Sequence, residues 1–315
     1  MLFRSGAGNI AIGVGALFSN TTNSSLVAIG DSALFSHNGG DGQNTAVGSK
    51  ALRSNTNGKN NTAIGTGALL SNTTGFDNIA IGVDALRSNI SGVNNTANGV
   101  EALFSNTTGS ENTATGVDAL RSNTTGIRNT ANGSGALFSN TTGTSNIAIG
   151  KVALFNNTTG FNNTANGTNA LLANTTGNSN TANGNDALRR NTIGENNTSI
   201  GDSSLASCIS GSDNTAIGAK SNPNVGGSSN TTALGANTVI NAANQVRLGA
   251  STVTSIGGQV GYTTISDGRF KTNVEANVPG LNFISKLRPV TYHLDVTGID
   301  QFTSINYHTA EQLKV

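Results

Sequence analysis

The chain has 315 residues, among them 41 glycines, 3 prolines and no tryptophan, with 4% aromatic and 10% charged side chains and a formal net charge of +1. So few large apolar residues exclude a conventional globular core, while low charge and regular patterning exclude plain disorder, whose signature is high net charge. Near-neutrality leaves no basic field for nucleic acid, and a single cysteine, Cys208, excludes an intrachain disulfide framework.

The N-terminal stretch "MLFRSGAGNIAIGVGALFSN" enters a repeated phrase by Asn9 and carries no clear secretion signal. Export by another route, release of a virion protein by lysis, or a start further upstream are the expectations. No run approaches the ~18 apolar residues of a membrane helix, so no membrane insertion is expected. From there one glycine keeps time: Gly13, Gly30, Gly48, Gly65, Gly82, and on to Gly235. Every step is 17 residues except Gly30 to Gly48, where "HNGGDGQ" (His37 to Gln43) adds one. A period this strict makes each unit one turn of a solenoid. The consensus is N-T-A-I-G-x-x-A-L-x-S-N-T-T-G-x-x.

A helix is disfavoured, since each interior Gly costs about 1 kcal/mol against Ala and Asn, Thr and Ser prefer turns. The phrase divides into two short extended pieces, N-T-A-I-G and A-L-x-S. This predicts an all-β fold, a β-roll or β-solenoid of about fourteen turns stacked ~4.8 Å apart, a rod on the order of 65 Å long. The Ala before the repeat Gly (Ala46, Ala63, Ala80) and the Ala-Leu pair (Ala68-Leu69, Ala85-Leu86) are expected to face a thin core. The position just before the Gly alternates between Ile (Ile12, Ile29, Ile64, Ile81) and polar residues (Asn98, Thr115, Asn132). A site that accepts both reads as a second face packed on another copy, with stacked Asn amides satisfying one another.

The phrase decays after Gly235 into a segment rich in Val, Ile and Thr. Beyond Ser266 the charge density doubles, the last 50 residues holding 10 of the 33 charged side chains, and Pro279 and Pro289 appear. The expected divisions are a repeat region 1–235, a β-rich connector 236–265, and a short α+β fragment 266–315.

The A-I-G phrase resembles the head β-rolls of trimeric autotransporter adhesins, although those heads use shorter turns. The stretch "ISDGRFKTNVEANVPGLNFISKLRPVTYHLD" (Ile265 to Asp295) resembles the opening of the endosialidase-type intramolecular chaperone, the peptidase S74 domain of phage tail fibres and tailspikes. That resemblance rests on S-D-x-R-x-K followed by G-L-x-F-I-x-x-L-x-P-V-x-Y. It implies homotrimeric assembly and self-cleavage by a Ser-Lys dyad, here Ser266 and Lys271, at the Ser266–Asp267 bond. A serine needs a nearby base, which a desolvated lysine supplies. The chain stops at "YHTAEQLKV", short of the family's helical remainder. The expectation is therefore cleavage in a longer parent and none in this chain.

Elsewhere the chemistry is sparse. His37, His293 and His308 lie far apart with no ligand spacing, so neither a metal nor a cofactor is expected. Asp is too rare for calcium-binding rolls. G-x-G patterns such as Gly13-Val14-Gly15 precede no helix, which rejects a nucleotide loop. A glycosidase would need paired carboxylates in a cleft. Sequons such as Asn72-Thr73-Thr74 read first as turns, and Cys208 as a drifted turn position. The function expected is a tail-fibre-like structural adhesin, on a virion tail or an extracellular surface, with a host glycan or protein receptor. A bacterial surface adhesin or passive spacer is the alternative. A remote one is ice binding, on a single Thr column (Thr45, Thr62, Thr96, Thr113, Thr130) interrupted by Ile10, Ile79 and Ile147.

Overall fold

The computed structural model describes residues 6–39, 42–223 and 226–257. Within them the chain is an all-β parallel solenoid with a repeat of about 17 residues. Each turn contributes one strand of only three residues, such as Thr62–Ile64, Ile79–Ile81 and Thr96–Asn98. Fifteen of these form a single sheet in chain order. The register follows the repeat: Ala63 lies opposite Ala80, and Ala80 opposite Ala97. The 18-residue step is absorbed without loss of register, Val27 pairing with Thr45.

The strand triplet alternates as a period-2 element must. Its central Ala is buried while its two neighbours are half-buried or exposed. Ala also suits the narrow interior, where the opposite wall is the Ala-Leu pair of the same turn. Backbone bonds between turns continue beyond the triplet. The Thr62 N–H donates to the Asn78 carbonyl at 2.9 Å, and the Gly82 N–H to the Ile64 carbonyl at 2.8 Å.

The A-L-x-S piece is not a second strand, contrary to expectation. It is a chain of tight turns, with the Ala68, Leu70 and Asn72 N–H groups donating to the carbonyls of Gly65, Gly67 and Leu69. Leu69 sits at φ +52°, and the equivalent Leu of every turn from Leu17 to Leu205 is likewise left-handed. That conformation costs an L-residue about 1–2 kcal/mol. It turns the Leu side chain inward, where full burial contributes about 1.5–3 kcal/mol. The segment still bonds across turns as a strand would, Leu69 N–H to Ala85 O at 3.0 Å and Ser71 N–H to Arg87 O at 2.9 Å. The repeat Gly is required at its position. At Gly82 φ is +132°, and a Cβ there would lie 2.5 Å from the carbonyl oxygen of Gly99 in the next turn.

The last turns depart from the pattern. Asn222–Pro223 pairs with Val239–Ile240 in a separate two-stranded sheet. Thr232–Leu234 pairs with Val246–Leu248, a step of 14 residues, and Arg247 there replaces the buried Ala.

Candidate functional surface

Two files of buried asparagine run the length of the stack. The first is the Asn that opens N-T-A-I-G. The Asn78 Nδ2 donates to Asn61 Oδ1 at 3.1 Å and to the Gly92 carbonyl at 2.9 Å, and the Asn78 backbone N–H also donates to Asn61 Oδ1. The unit repeats from Asn44 to Asn214, where the Thr231 hydroxyl and N–H close the file on Asn214 Oδ1. The second file is the Asn of N-T-T-G. The Asn89 Nδ2 donates to Asn72 Oδ1 at 2.8 Å and to the Gly92 carbonyl at 3.0 Å, and this unit recurs from Asn55 to Asn191. Every one of these amides is fully buried. Buried polar groups need partners, and here each turn supplies those of its neighbour. The stacked amides expected just before the repeat Gly thus lie at these two other positions.

The second file is interrupted twice. At its start stands His37, fully buried, with Nε2 3.1 Å from Asn23 Nδ2 and Nδ1 3.1 Å from Asn55 Nδ2. Burial pushes its pKa below the ordinary value, partly offset by a backbone hydrogen bond with Thr56. At its end stands Cys208, whose thiol points to the Gly211 carbonyl at 3.6 Å and is pushed up in pKa by burial. Cys208 is therefore a buried member of the Asn file. The sequon Asn72-Thr73-Thr74 is closed to glycosylation in the fold, because Asn72 is buried and its Nδ2 donates twice.

The outer surface has three distinct strips. On the sheet, the residues flanking each buried Ala form two parallel files, so the Thr column is one half of a double array. The first file is largely Thr with Ile10, Val27, Ile79 and Ile147; the second is Ile, Val or Leu toward both ends and Asn or Thr in the middle, where Ile149 interrupts. Ile12, Ile64, Ile81, Ile149, Ile200 and Ile217 are 38–56% exposed. No charged side chain enters these triplets from Ile10 to Leu234. Beside the N-T-T corner a Thr hydroxyl locks most turns to the next, Thr107 Oγ1 donating to the Thr124 carbonyl and Thr124 Oγ1 to that of Thr141, both at 3.0 Å.

The third strip follows the Ala-Leu pair and stacks aromatic rings with guanidinium groups. Phe18 lies on Phe35 at 4.8 Å and Phe138 on Phe155 at 4.9 Å. Arg121 lies between Phe104 and Phe138, 5.3 and 5.7 Å from their centroids. Its Nε also meets Glu101 at 2.6 Å and Asp118 at 3.2 Å. These contacts turn ring faces and charges toward each other along the stack, which makes the strip a set of clamps between turns.

No cluster of three metal-ligating side chains occurs among the described residues. Ser266, Lys271 and the Ser266–Asp267 bond lie outside them, as do His293 and His308. No described helix is long and apolar enough to cross a membrane. No protein-family model matches the chain, and neither does any curated protein.

Proposed function

We propose that this chain is the shaft of a structural attachment fibre, of the tail-fibre or surface-adhesin kind, assembled as a homotrimer through the sheet face. The observation that carries the reading is the uncharged double file on a stack whose turns are locked in register. At ~4.8 Å per strand and roughly 10 Å of width, the face covers about 650 Å². In a trimer that face is shared between two neighbours, so each pairwise contact is smaller than the ~800 Å² a partner contributes to a standard stable interface, and the assembly draws on both contacts at once. Exposed Ile side chains in such a face gain by packing on a second copy, and the absence of charge removes repulsion between like faces. The number three comes from the two family resemblances, both of which belong to trimers.

The residues that vary from turn to turn lie elsewhere, at the corners: Thr66, Val83, Val100 and Val117 after the repeat Gly, and Phe76, Val93, Ser110 and Ile127 after N-T-T-G. They are the surface proposed to meet a host glycan or protein, where repeated weak contacts gain by avidity. The segment beginning at Ser266 is proposed as the trimerisation chaperone that cleaves itself beside Ser266 in a longer parent. Binding of the full chain to host cells and polysaccharides tests attachment. Binding to neither, with binding carried by another part of the parent particle, reduces this chain to a spacer.

A further inference from the structure

We infer that the turns beyond Cys208 open as a unit of their own while the rest of the stack stays closed. In a solenoid each turn is held by its own contacts and those with its two neighbours, so the weakest interface between turns sets where it divides. From Asn55 to Asn191 the interfaces are nearly identical. Each holds a Leu on Leu, an Ala on Ala at two positions, and two amide-to-amide hydrogen bonds.

At Cys208 four of these fail within two turns. The second amide file stops, and Asn191 Oδ1 is left buried with no hydrogen-bond partner. The Leu file ends at Leu205, its next position being the half-buried Asn222. The Ala of the Ala-Leu pair becomes Ser204 and then Ser221. Their hydroxyls meet at 3.1 Å, and the Ser204 hydroxyl also donates to the Ala216 carbonyl. The strand Ala becomes Ser199, donating to the Ser204 carbonyl. The first amide file continues, through Asn197 and Asn214 to Thr231, and the strand Ala returns at Ala216 and Ala233. Buried hydroxyls satisfied by polar partners replace apolar packing, and polar groups that water can also satisfy add little net stability. The division therefore falls just after the turn that holds Cys208, and opening uncovers its thiol.

Reaction of Cys208 with an aromatic disulfide reagent, in the intact chain under native conditions, reads the opening directly. The reference is an Ala119→Cys, Cys208→Ser variant, whose thiol sits in the middle of the stack. Cys208 is expected to react about 100-fold faster or more, in keeping with opening free energies that range from near zero to the global value. Amide hydrogen exchange on the unaltered chain gives a second reading that needs no variant. The Leu205, Ile209 and Thr215 N–H groups, bonded to the carbonyls of Ser221, Gly226 and Thr231, should exchange well ahead of Leu120, Thr124 and Thr130. Equal thiol reactivity at the two sites, or uniform exchange along the stack, overturns the inference.

Discussion

The middle of the stack, from Asn55 to Asn191, and its end, from Cys208 to Leu248, share a backbone path and little else. In the middle, five inward positions hold nearly the same residues turn after turn, namely Ala, Ala, Leu and two Asn. At the end the strand Ala persists at Ala216 and Ala233, but the Ala-Leu pair becomes Ser221-Asn222 and the two Asn files hold Cys208 and, after Asn214, Thr231. Both regions keep parallel pairing, through Thr198, Thr215 and Thr232. Backbone hydrogen bonds therefore define the path. The identity of the inward side chains decides how tightly one turn holds the next.

Removing one amide from the middle is expected to give the largest ratio of losses between the two regions. Asn123→Ala deletes the donor to Asn106 Oδ1 and the Gly126 carbonyl, and the acceptor for Asn140 Nδ2. Asn106 Oδ1 is left with no partner, while the Gly126 carbonyl keeps Asn112 and Asn140 Nδ2 keeps Gly143, so one orphaned buried acceptor and two lost hydrogen bonds cost roughly 3 kcal/mol. The matching change at the end, Cys208→Ala, leaves no group without a partner, since the Gly211 carbonyl keeps the Asn197 Nδ2 donor, and should cost about 1 kcal/mol. Thermal denaturation of the two variants compares them, and equal losses would mean that the files do not distinguish the regions.

A smaller ratio is expected for Leu. Leu120 has a Leu in the turn on either side, whereas Leu205 has Leu188 on one side and Asn222 on the other. Leu120→Ala should cost about 4 kcal/mol and Leu205→Ala about 2 kcal/mol, both within the usual range for such truncations. Denaturant melts followed by circular dichroism give both values.

The pH response is the smallest of the expected effects and belongs to the opposite end. His37 has a folded pKa lowered by burial, so it is neutral in the native fold. The unfolded chain then binds more protons over a window just below pH 6.5, and stability rises with pH through that window. Above it the stability is fully present. Below it a proton on His37 meets the Asn23 and Asn55 Nδ2 groups, which are donors themselves. His37→Asn should restore the file and flatten the melting temperature between about pH 5 and 7. A slope that survives the substitution assigns it elsewhere.

Much of this architecture was legible in the sequence. The period, the parallel stack and the inward Ala and Leu follow from spacing alone, because Ala63, Ala80 and Ala97 stand one turn apart. Two features were not. The A-L-x-S piece reads as a strand because Leu gives no local sign of a left-handed conformation. The buried amides read as turn residues because Asn favours turns, and their burial depends on a neighbour 17 residues away. A signal was present: Asn never varies at those two positions between Asn55 and Asn191, whereas the position before the repeat Gly switches among Ile, Asn and Thr. Invariance within the chain marked the interior, and variation marked the sheet face.

That face carries the proposed assembly, and static light scattering on the intact chain tests it most directly. A mass of three chains is expected, against 31.7 kDa for one. In Ile81→Asp three unpaired carboxylates would meet where apolar side chains pack, and the mass should fall to that of the single chain with the circular dichroism unchanged. A stable, sharply melting single chain for the unaltered protein would contradict the account and leave a self-sufficient solenoid with its sheet face open to water.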